Sequence, residues 1–397
     1  ITNLRNSHKC ILRFAFMLQK EQEVIMIELK DVPSTMPKIL VIGIGGGGNN
    51  AVNRMVDMNT SPHTLEYISI NTDQMVLNLS KASRTLTIGP KLTGGYGAGG
   101  NPEIGCASAE ESEEAIKSLL ADCNMVILTA GMGGGTGTGA IPVIAKLCHE
   151  LNILTVAVVT KPFSFEGTKK MKTAISGIEK LKEYVDTLFI IPNDKLISGT
   201  DKNLTVENAF LLADSVLKDT INAITNIIHN CGLVNLDFND LKTILGNKGI
   251  GYIGISAMAE KSAIIDTMKE ALNSPFLETS VKGATHILIN CSAGLNLQEL
   301  NTAIGYVREI AGNNADIMWG TVTDSDSSGM NNSVTIIATG LPASELPSTP
   351  AGNSVSKAPS PSSPNVSGFP HMTTAPKSLQ PTVPLKPIIL PDFIKNI

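Results

Sequence analysis

Gly131–Gly139, reading Gly-Met-Gly-Gly-Gly-Thr-Gly-Thr-Gly, limits what this chain can fold into more than any other segment. It is entered from the apolar run Met125-Val126-Ile127-Leu128 and leads into helix-like Ala140–Leu151. A mobile linker is not expected between two strongly apolar elements. Glycines there let successive backbone N–H groups converge on one point. The helix that follows adds the positive end of its dipole, so the natural occupant is an anion, a di- or triphosphate.

Further glycine-rich turns precede it. Lys38–Ile42 reads as a short buried strand running into Gly43–Asn50, with Ala51–Met58 helical in pattern. This turn satisfies Gly-x-Gly-x-x-Gly and Asp73 lies a little over 20 residues beyond, so a dinucleotide-binding reading has to be carried. Tyr67–Ile70 is the next strand, ending in the polar Asn71-Thr72-Asp73. Thr93–Pro102 holds another turn, Gly97-Ala98-Gly99-Gly100, ahead of the acidic helix Glu103–Leu120. One such loop serves one pyrophosphate; several on one crevice suit a longer phosphate chain. None has the lysine of a P-loop, which leaves charge neutralisation to backbone dipoles, a nearby cation and a metal such as Mg²⁺.

Leu154–Thr160 is a core strand, followed after Pro162 by Phe163-Ser-Phe-Glu166-Gly-Thr-Lys-Lys170. Glu166 and Lys170 stand four apart and share a face if a helix has begun; spacing alone favours an ordinary surface ion pair over a clamp on sugar and phosphate. Leu188–Ile191 closes the series of strands and delivers Pro192-Asn193-Asp194. From Val206 to about Cys231 runs the longest helical pattern, without Gly or Pro, until Gly232 ends it. Such a helix spans roughly 37 Å. Phe210 and Asp214 lie one turn apart on it, where an aromatic residue is by default core.

Beyond it, Asp237 suits a helix N-cap and Asp240 the positive end of that helix. The long helix puts both carboxylates far from the phosphate loops of the same chain. A neighbour stacked head to tail brings its own loops to them, and a contact of that kind that does not close into a ring makes a filament. From Gly251 to Leu341 strands alternate with helices in a second, smaller α/β unit.

After Pro342 the composition changes: 12 of the 21 prolines fall in the last 56 residues, among Ser, Thr, Ala and Asn. That reads as a disordered linker over 343–386, with a flexible span of roughly 35–40 Å. Residues 387–397 regain hydrophobicity in Ile388-Ile-Leu-Pro-Asp-Phe-Ile-Lys395 and read as a hook for a partner protein.

A net charge of −5, without a basic block, argues against a general nucleic-acid or membrane-surface binder. No apolar run is long enough to span a membrane. The six cysteines lack Cys-x-x-Cys spacing and paired histidines, which points to a reducing cytosol rather than disulfides or zinc. At the amino end Arg13 interrupts the apolar Cys10–Leu18 and no cleavage site follows, so a signal peptide is not read there. The expectation is an extension over 1–36, with the working protein beginning near Met26.

With these residues in place, the chain from about Pro37 to Leu341, and again over its last ten residues, resembles the FtsZ family of bacterial, tubulin-like cell-division GTPases. The resemblance rests on Gly133-Gly-Gly-Thr-Gly-Thr-Gly139 combined with Asn71-Thr-Asp73, Gly97-Ala-Gly99, Phe163–Gly167, Pro192-Asn-Asp-Lys195 and Asn235-Leu-Asp237-Phe-x-Asp240. It implies an α/β fold: a tubulin-like GTPase domain with a parallel sheet (37–203), a long central helix (204–231) and a smaller α/β C-terminal activation domain (232–342).

It also implies that GTP phosphates are held by Gly46, Gly47, Gly48, Asn49 and Asn50, by Gly97, Ala98, Gly99 and Gly100, and by Gly133, Gly134, Gly135, Thr136, Gly137, Thr138 and Gly139. Asn71 and Asp73 line the crevice, and Glu166 and Lys170 stand at the ribose and phosphate side. Phe210 would stack on guanine while Asp214 and Asn193 read its polar edge. Asn235, Asp237 and Asp240 would complete a neighbour's active site, orienting or polarising the attacking water, with Mg²⁺ accompanying GTP.

The implied assembly is a head-to-tail homopolymer in the cytoplasm, at the division site beneath the inner membrane. Residues 387–397 would bind division adaptors, without nucleic acid or direct membrane insertion. The chain departs from the family at Lys170, where arginine is usual, so a compact ammonium replaces a planar fork. It departs also at Asn49, where a small residue is usual, and at Asp392, where alanine is common.

Two other readings compete. A nicotinamide-dependent oxidoreductase rests on Gly43–Gly48 and Asp73, but lacks a catalytic acid/base set and leaves Gly131–Gly139 unexplained. A non-catalytic nucleotide-binding scaffold follows if Lys170 cannot replace arginine.

Overall fold

The computed structural model describes residues 37–57, 65–197, 204–229, 237–258, 263–273, 279–292, 296–322 and 332–342. The expected N-terminal extension, Asn235, the proline-rich linker and the terminal peptide lie outside them. The described chain divides into two compact units. The first runs through His229 and takes in Asp237–Gly249; the second begins at Ile250.

The first unit is built on β1 (Ile39–Ile44), β2 (Leu65–Asn71), β3 (Arg84–Thr87), β4 (Met125–Gly131), β5 (Leu154–Lys161), β6 (Thr187–Pro192) and β7 (Gly249–Ile250), in the order β3-β2-β1-β4-β5-β6-β7. The pairings from β3 across to β6 are parallel. β1 is buried along its whole length and β4 along all but its last residue. This is what a parallel strand covered on both faces requires, and why these strands read as continuous apolar runs. Strand order reverses between β1 and β4, so a ligand crevice is expected beyond their C-terminal ends.

The helices of this unit are α1 (Gly45–Asp57), α2 (Gln74–Asn78), α3 (Pro90–Thr93), α4 (Pro102–Glu111), α5 (Glu113–Leu120), α6 (Thr136–Glu150), α7 (Thr168–Lys182), α8 (Asn193–Ile197), α9 (Val206–His229) and α10 (Phe238–Leu245). α9 buries Ala209, Ala213, Leu217, Ile221, Ile224 and Ile227, the stripe its period predicts. At 24 residues it is about 36 Å long. Among the described residues no helix is long and apolar enough to cross a membrane.

Several boundaries differ from the sequence reading. α1 starts at Gly45 rather than Ala51, because the glycines are its first turn and not a loop before it. A Cβ at Gly48 would lie 2.4 Å from the Thr129 carbonyl oxygen, so only glycine lets the helix settle this close to β4. α6 likewise begins at Thr136, four residues early. The acidic stretch after Pro102 is two helices, broken at Ser112, whose hydroxyl accepts the Gly89 N–H at 3.0 Å. β3 is a four-residue strand with two exposed and two half-buried positions, too short and polar to announce itself.

Within the expected second domain, 232–342, the structural division sets Asp237–Gly249 with the first unit. The carboxylate of Asp186 accepts the Thr155 and Asn247 N–H groups, and its carbonyl accepts those of Lys248 and Gly249. These bonds fasten the segment after α10 to the N-terminal ends of β5 and β6.

The second unit contains β8 (Tyr252–Met258), α11 (Ile264–Leu272), β9 (His286–Ser292), α12 (Leu297–Ala311), β10 (Asp316–Val322) and β11 (Asn332–Thr339). Its sheet runs β10-β9-β11-β8, parallel between β10 and β9 and antiparallel elsewhere. β8 ends at Met258, opposite Asn332. α11 packs on this sheet through buried Ile264, Met268 and Leu272.

Candidate functional site

The N-termini of α1 and α6 meet at the C-terminal ends of β1 and β4. A Cβ on Gly45 would lie 2.8 Å from the Gly137 nitrogen, and one on Gly47 would lie 3.1 Å from the Gly131 nitrogen. Neither helix has an acidic residue in its first turn, and α6 has no side-chain cap. Two sets of orphan N–H groups and two positive dipole ends therefore face one region. A third helix abuts it, since a Cβ on Gly139 would lie 2.0 Å from the Pro102 carbonyl oxygen at the start of α4.

The expected phosphate residues divide by what surrounds them. Gly46, Gly99, Gly100 and Gly134 would carry a Cβ with nothing within 4 Å, and so line open space. Gly135 lies against the Asn101 backbone, Ala98 is buried, and Gly97 backs onto Asp73. Thr138 accepts the Gly133 N–H at 2.8 Å, bending the loop back onto its own helix. Thr136 and Thr72 exchange a hydroxyl hydrogen bond at 2.6 Å, tying the α6 start to the end of β2.

Asn49 and Asn71 are spent inside the protein. The Asn49 amide donates to the Gly43 carbonyl at 2.9 Å and accepts from Asn71 Nδ2 at 2.7 Å, a buried network that clamps β1 to β2. Asn49 is 1% exposed, whereas Asn50 is exposed beside it. Asp73 caps α2 through bonds to the Met75 and Val76 N–H groups.

Beyond β5, Phe163–Gly167 forms a 3₁₀ turn held by Glu166, whose Oε1 accepts the Phe163 N–H at 2.9 Å while Oε2 meets Lys170 Nζ at 3.1 Å. Phe163 stacks on Phe165 at 5.0 Å, and both meet the Phe210 ring nearly perpendicular, at 5.3 and 6.3 Å. Phe165 and Phe210 keep 56% and 40% exposure, so these two rings present an aromatic wall backed by the fully buried Phe163. Asn193, first residue of α8, is buried, and its Oδ1 has no hydrogen-bond partner among the described residues. A buried acceptor of this kind is costly unless something fills it. One turn beyond Phe210, Asp214 binds Arg54 of α1 at 3.2 Å. Burial raises its carboxyl above the usual range, and the Arg54 guanidinium opposes that rise.

Asp237 and Asp240 stand elsewhere. They form a reciprocal capping box on α10: Asp237 Oδ1 accepts the Asp240 N–H at 2.8 Å and Asp240 Oδ2 the Asp237 N–H at 3.1 Å. The far end of α10 is bonded to Thr187, which donates its hydroxyl proton to the Leu245 carbonyl at the N-terminal end of β6. The glycine turns follow the C-terminal ends of the strands. Lys170 lies against Gly133, Asn193 follows the C-terminal end of β6 and the Phe163 turn that of β5, whereas the C-terminal end of α10 is bonded at the opposite ends of the strands.

Residues 38–201 match the family model for the Tubulin/FtsZ family, GTPase domain, and residues 249–342 that for the FtsZ family, C-terminal domain. An empty FtsZ dimer from M. jannaschii is 39% identical, with a TM-score of 0.72 over 81% of this chain and 92% of that one. The chain belongs to the FtsZ family. A mutant FtsZ from the same organism is 38% identical at TM-score 0.72, covering 81% of this chain and 96% of that one. CetZ2 from Haloferax volcanii, solved as a GTPγS-bound protofilament, shares the fold at 18% identity and TM-score 0.65, over 76% of this chain and 92% of that one. This FtsZ-family chain is a tubulin-like GTPase of the cell-division cytoskeleton, and the oxidoreductase reading falls away.

Sequence reasoning assigned no role to Arg54, Thr72 or Phe165. Arg54 had a signal, one helical turn beyond Asn50 on the same face of α1. The contacts of the other two depend on long-range packing that spacing does not encode.

Proposed function

We propose that this chain assembles head to tail into filaments that form the bacterial division ring, and hydrolyses GTP at the contact between successive subunits. The observation that supports it best is the division of labour across one sheet. Glycines with open space around them follow the C-terminal strand ends, while the C-terminal end of α10, whose first turn carries Asp237 and Asp240, is bonded at the N-terminal ends of β5 and β6.

In this reading the exposed glycine N–H groups and the α1 and α6 N-termini bind the phosphates. The aromatic wall takes the base, with Asn193 Oδ1 and Asp214 meeting the donors on its polar edge. Glu166 and Lys170 close on the ribose and phosphate side. The neighbour's Asn235, Asp237 and Asp240 orient the attacking water, and positioning and charge carry most of the rate. Mg²⁺ accompanies the nucleotide, held chiefly by phosphate oxygens and water. No group of three or more His, Cys, Asp or Glu side chains suited to a metal occurs among the described residues, and none is required. Residues 387–397 recruit adaptor proteins at the division site, in the cytoplasm beneath the inner membrane.

GTP turnover per chain, measured against protein concentration, tests the assembly requirement. It is expected to rise steeply above a threshold; equal turnover in highly diluted and concentrated samples sinks the reading.

A further inference from the structure

Arg54 joins the two ends of the site. It lies eight residues beyond Gly46 on α1, about 12 Å down the helix axis, so one helix presents glycine to the phosphates and a guanidinium to Asp214. Arg54 Nε takes Oδ2 of Asp214, leaving Oδ1 without a protein partner among the described residues. Asp214 is largely buried, with 13% of its side chain exposed, and sits one helical turn below Phe210.

We propose that Arg54 is a positioning residue for guanine selection: by holding one oxygen of Asp214 it aims the other at the N1–H and exocyclic amino donors of the base. This rests on the proposed role of Asp214 in reading the base. The chemistry favours it. Guanine presents two adjacent donors where hypoxanthine keeps N1–H but has no amino group, and a site built to accept both rejects the analogue that lacks one. A carboxylate does this only when ionised and fixed. Burial works against the first condition and the Arg54 guanidinium supports it, while the Nε–H···Oδ2 bond supplies the second.

The test compares GDP and IDP affinities of the full chain, diluted, and reads their ratio. Arg54→Ala is expected to cut the preference for GDP over IDP about tenfold, as loss of a charge-assisted bond implies. Arg54→Lys keeps the charge but not the fork, and should recover part of the preference. Lys81→Ala, which breaks the exposed ion pair to Asp57 on the same helix, should leave it unchanged.

An unaltered preference in Arg54→Ala overturns the proposal, as does an equal loss in Lys81→Ala, which would make the effect one of helix stability. Asp214→Asn separates the two levels. If it collapses the preference while Arg54→Ala does not, only the role of Arg54 fails. If Asp214→Asn also leaves the preference intact, the base-reading role fails and the inference goes with it.

Discussion

Asp237 has two possible jobs, and Asp237→Asn separates them. As an N-cap it accepts the Asp240 N–H at 2.8 Å, and Asp240 returns the bond at 3.1 Å. Asparagine caps a helix about as well as aspartate, so the variant keeps the geometry and loses only the charge near the helix dipole, about 0.3–1 kcal/mol. Alanine loses the cap itself, about 1 kcal/mol. In a unit of this size each kcal/mol moves the melting temperature by about 2–4 °C. Thermal unfolding should therefore show a small drop for Asp237→Asn and a larger one for Asp237→Ala.

Turnover should order them differently. If the carboxylate polarises water in a neighbour's site, both variants lose at least about a hundredfold, the scale of a general acid–base group, and both still bind GDP. Phosphate release, followed at several protein concentrations beside GDP affinity, reads this directly. Full turnover in Asp237→Asn together with reduced stability in Asp237→Ala would reduce Asp237 to a helix cap and refute its catalytic placement.

Three further outcomes follow from the geometry. Gly139→Ala forces a Cβ to within 2.0 Å of the Pro102 oxygen and should cost about 1–3 kcal/mol in thermal unfolding, whereas Gly134→Ala, with open space around it, should keep its melting temperature and lose nucleotide affinity in a binding titration. Because burial raises the Asp214 pKa, folding takes up a proton in the window just above the ordinary aspartate value. Wild-type stability thus falls as pH rises through that window, and Asp214→Asn should remove that component of the slope when the two are melted side by side from pH 4 to 6 (about the acid range concerned). Burial pushes the Cys148 and Cys291 thiols up to about 12, so peptide mapping after native alkylation at neutral pH should find Cys106, partly exposed, modified well before either.

The parts of the site made of local sequence were the legible ones. Gly131–Gly139 announced a phosphate loop because glycine content, an apolar strand and a helix adjoin in a dozen or so residues. The long amphipathic α9 and the cap at Asp237 were readable for the same reason. What the sequence hid was set by packing between distant segments. The resemblance sets Asn49 among the phosphate residues, and nothing local tells that its side-chain amide is taken up by Gly43 and Asn71. Arg54 meets Asp214 across 160 positions, which no local window reveals. The helix starts at Gly45 and Thr136 were missed because glycine counts against a helix interior, while close approach to β4 and α4 favours it in these two first turns. Assignment of α10 to the first unit turned on backbone bonds to Asp186, which pattern reading cannot supply.

Those bonds also bear on why hydrolysis would wait for assembly. β5 and β6 are almost wholly buried and run for eight and six residues, about 26 and 20 Å, between the edge that holds α10 and the edge that delivers Asn193 and the Phe163 turn. Asp186 accepts four backbone N–H groups at the first edge, so the α10 segment cannot swing far without breaking bonds to β5 and the turn before β7 together. Under the proposed function the carboxylates are therefore fixed away from their own chain's nucleotide and presented outward to another's. A loop that could fold back would make each subunit self-sufficient and uncouple turnover from the filament. Rigid attachment at Asp186 predicts the reverse. Loosening it with Asp186→Ala should depress turnover more than it depresses GDP binding, since the pocket at the other edge keeps its glycines, its helix ends and its aromatic wall.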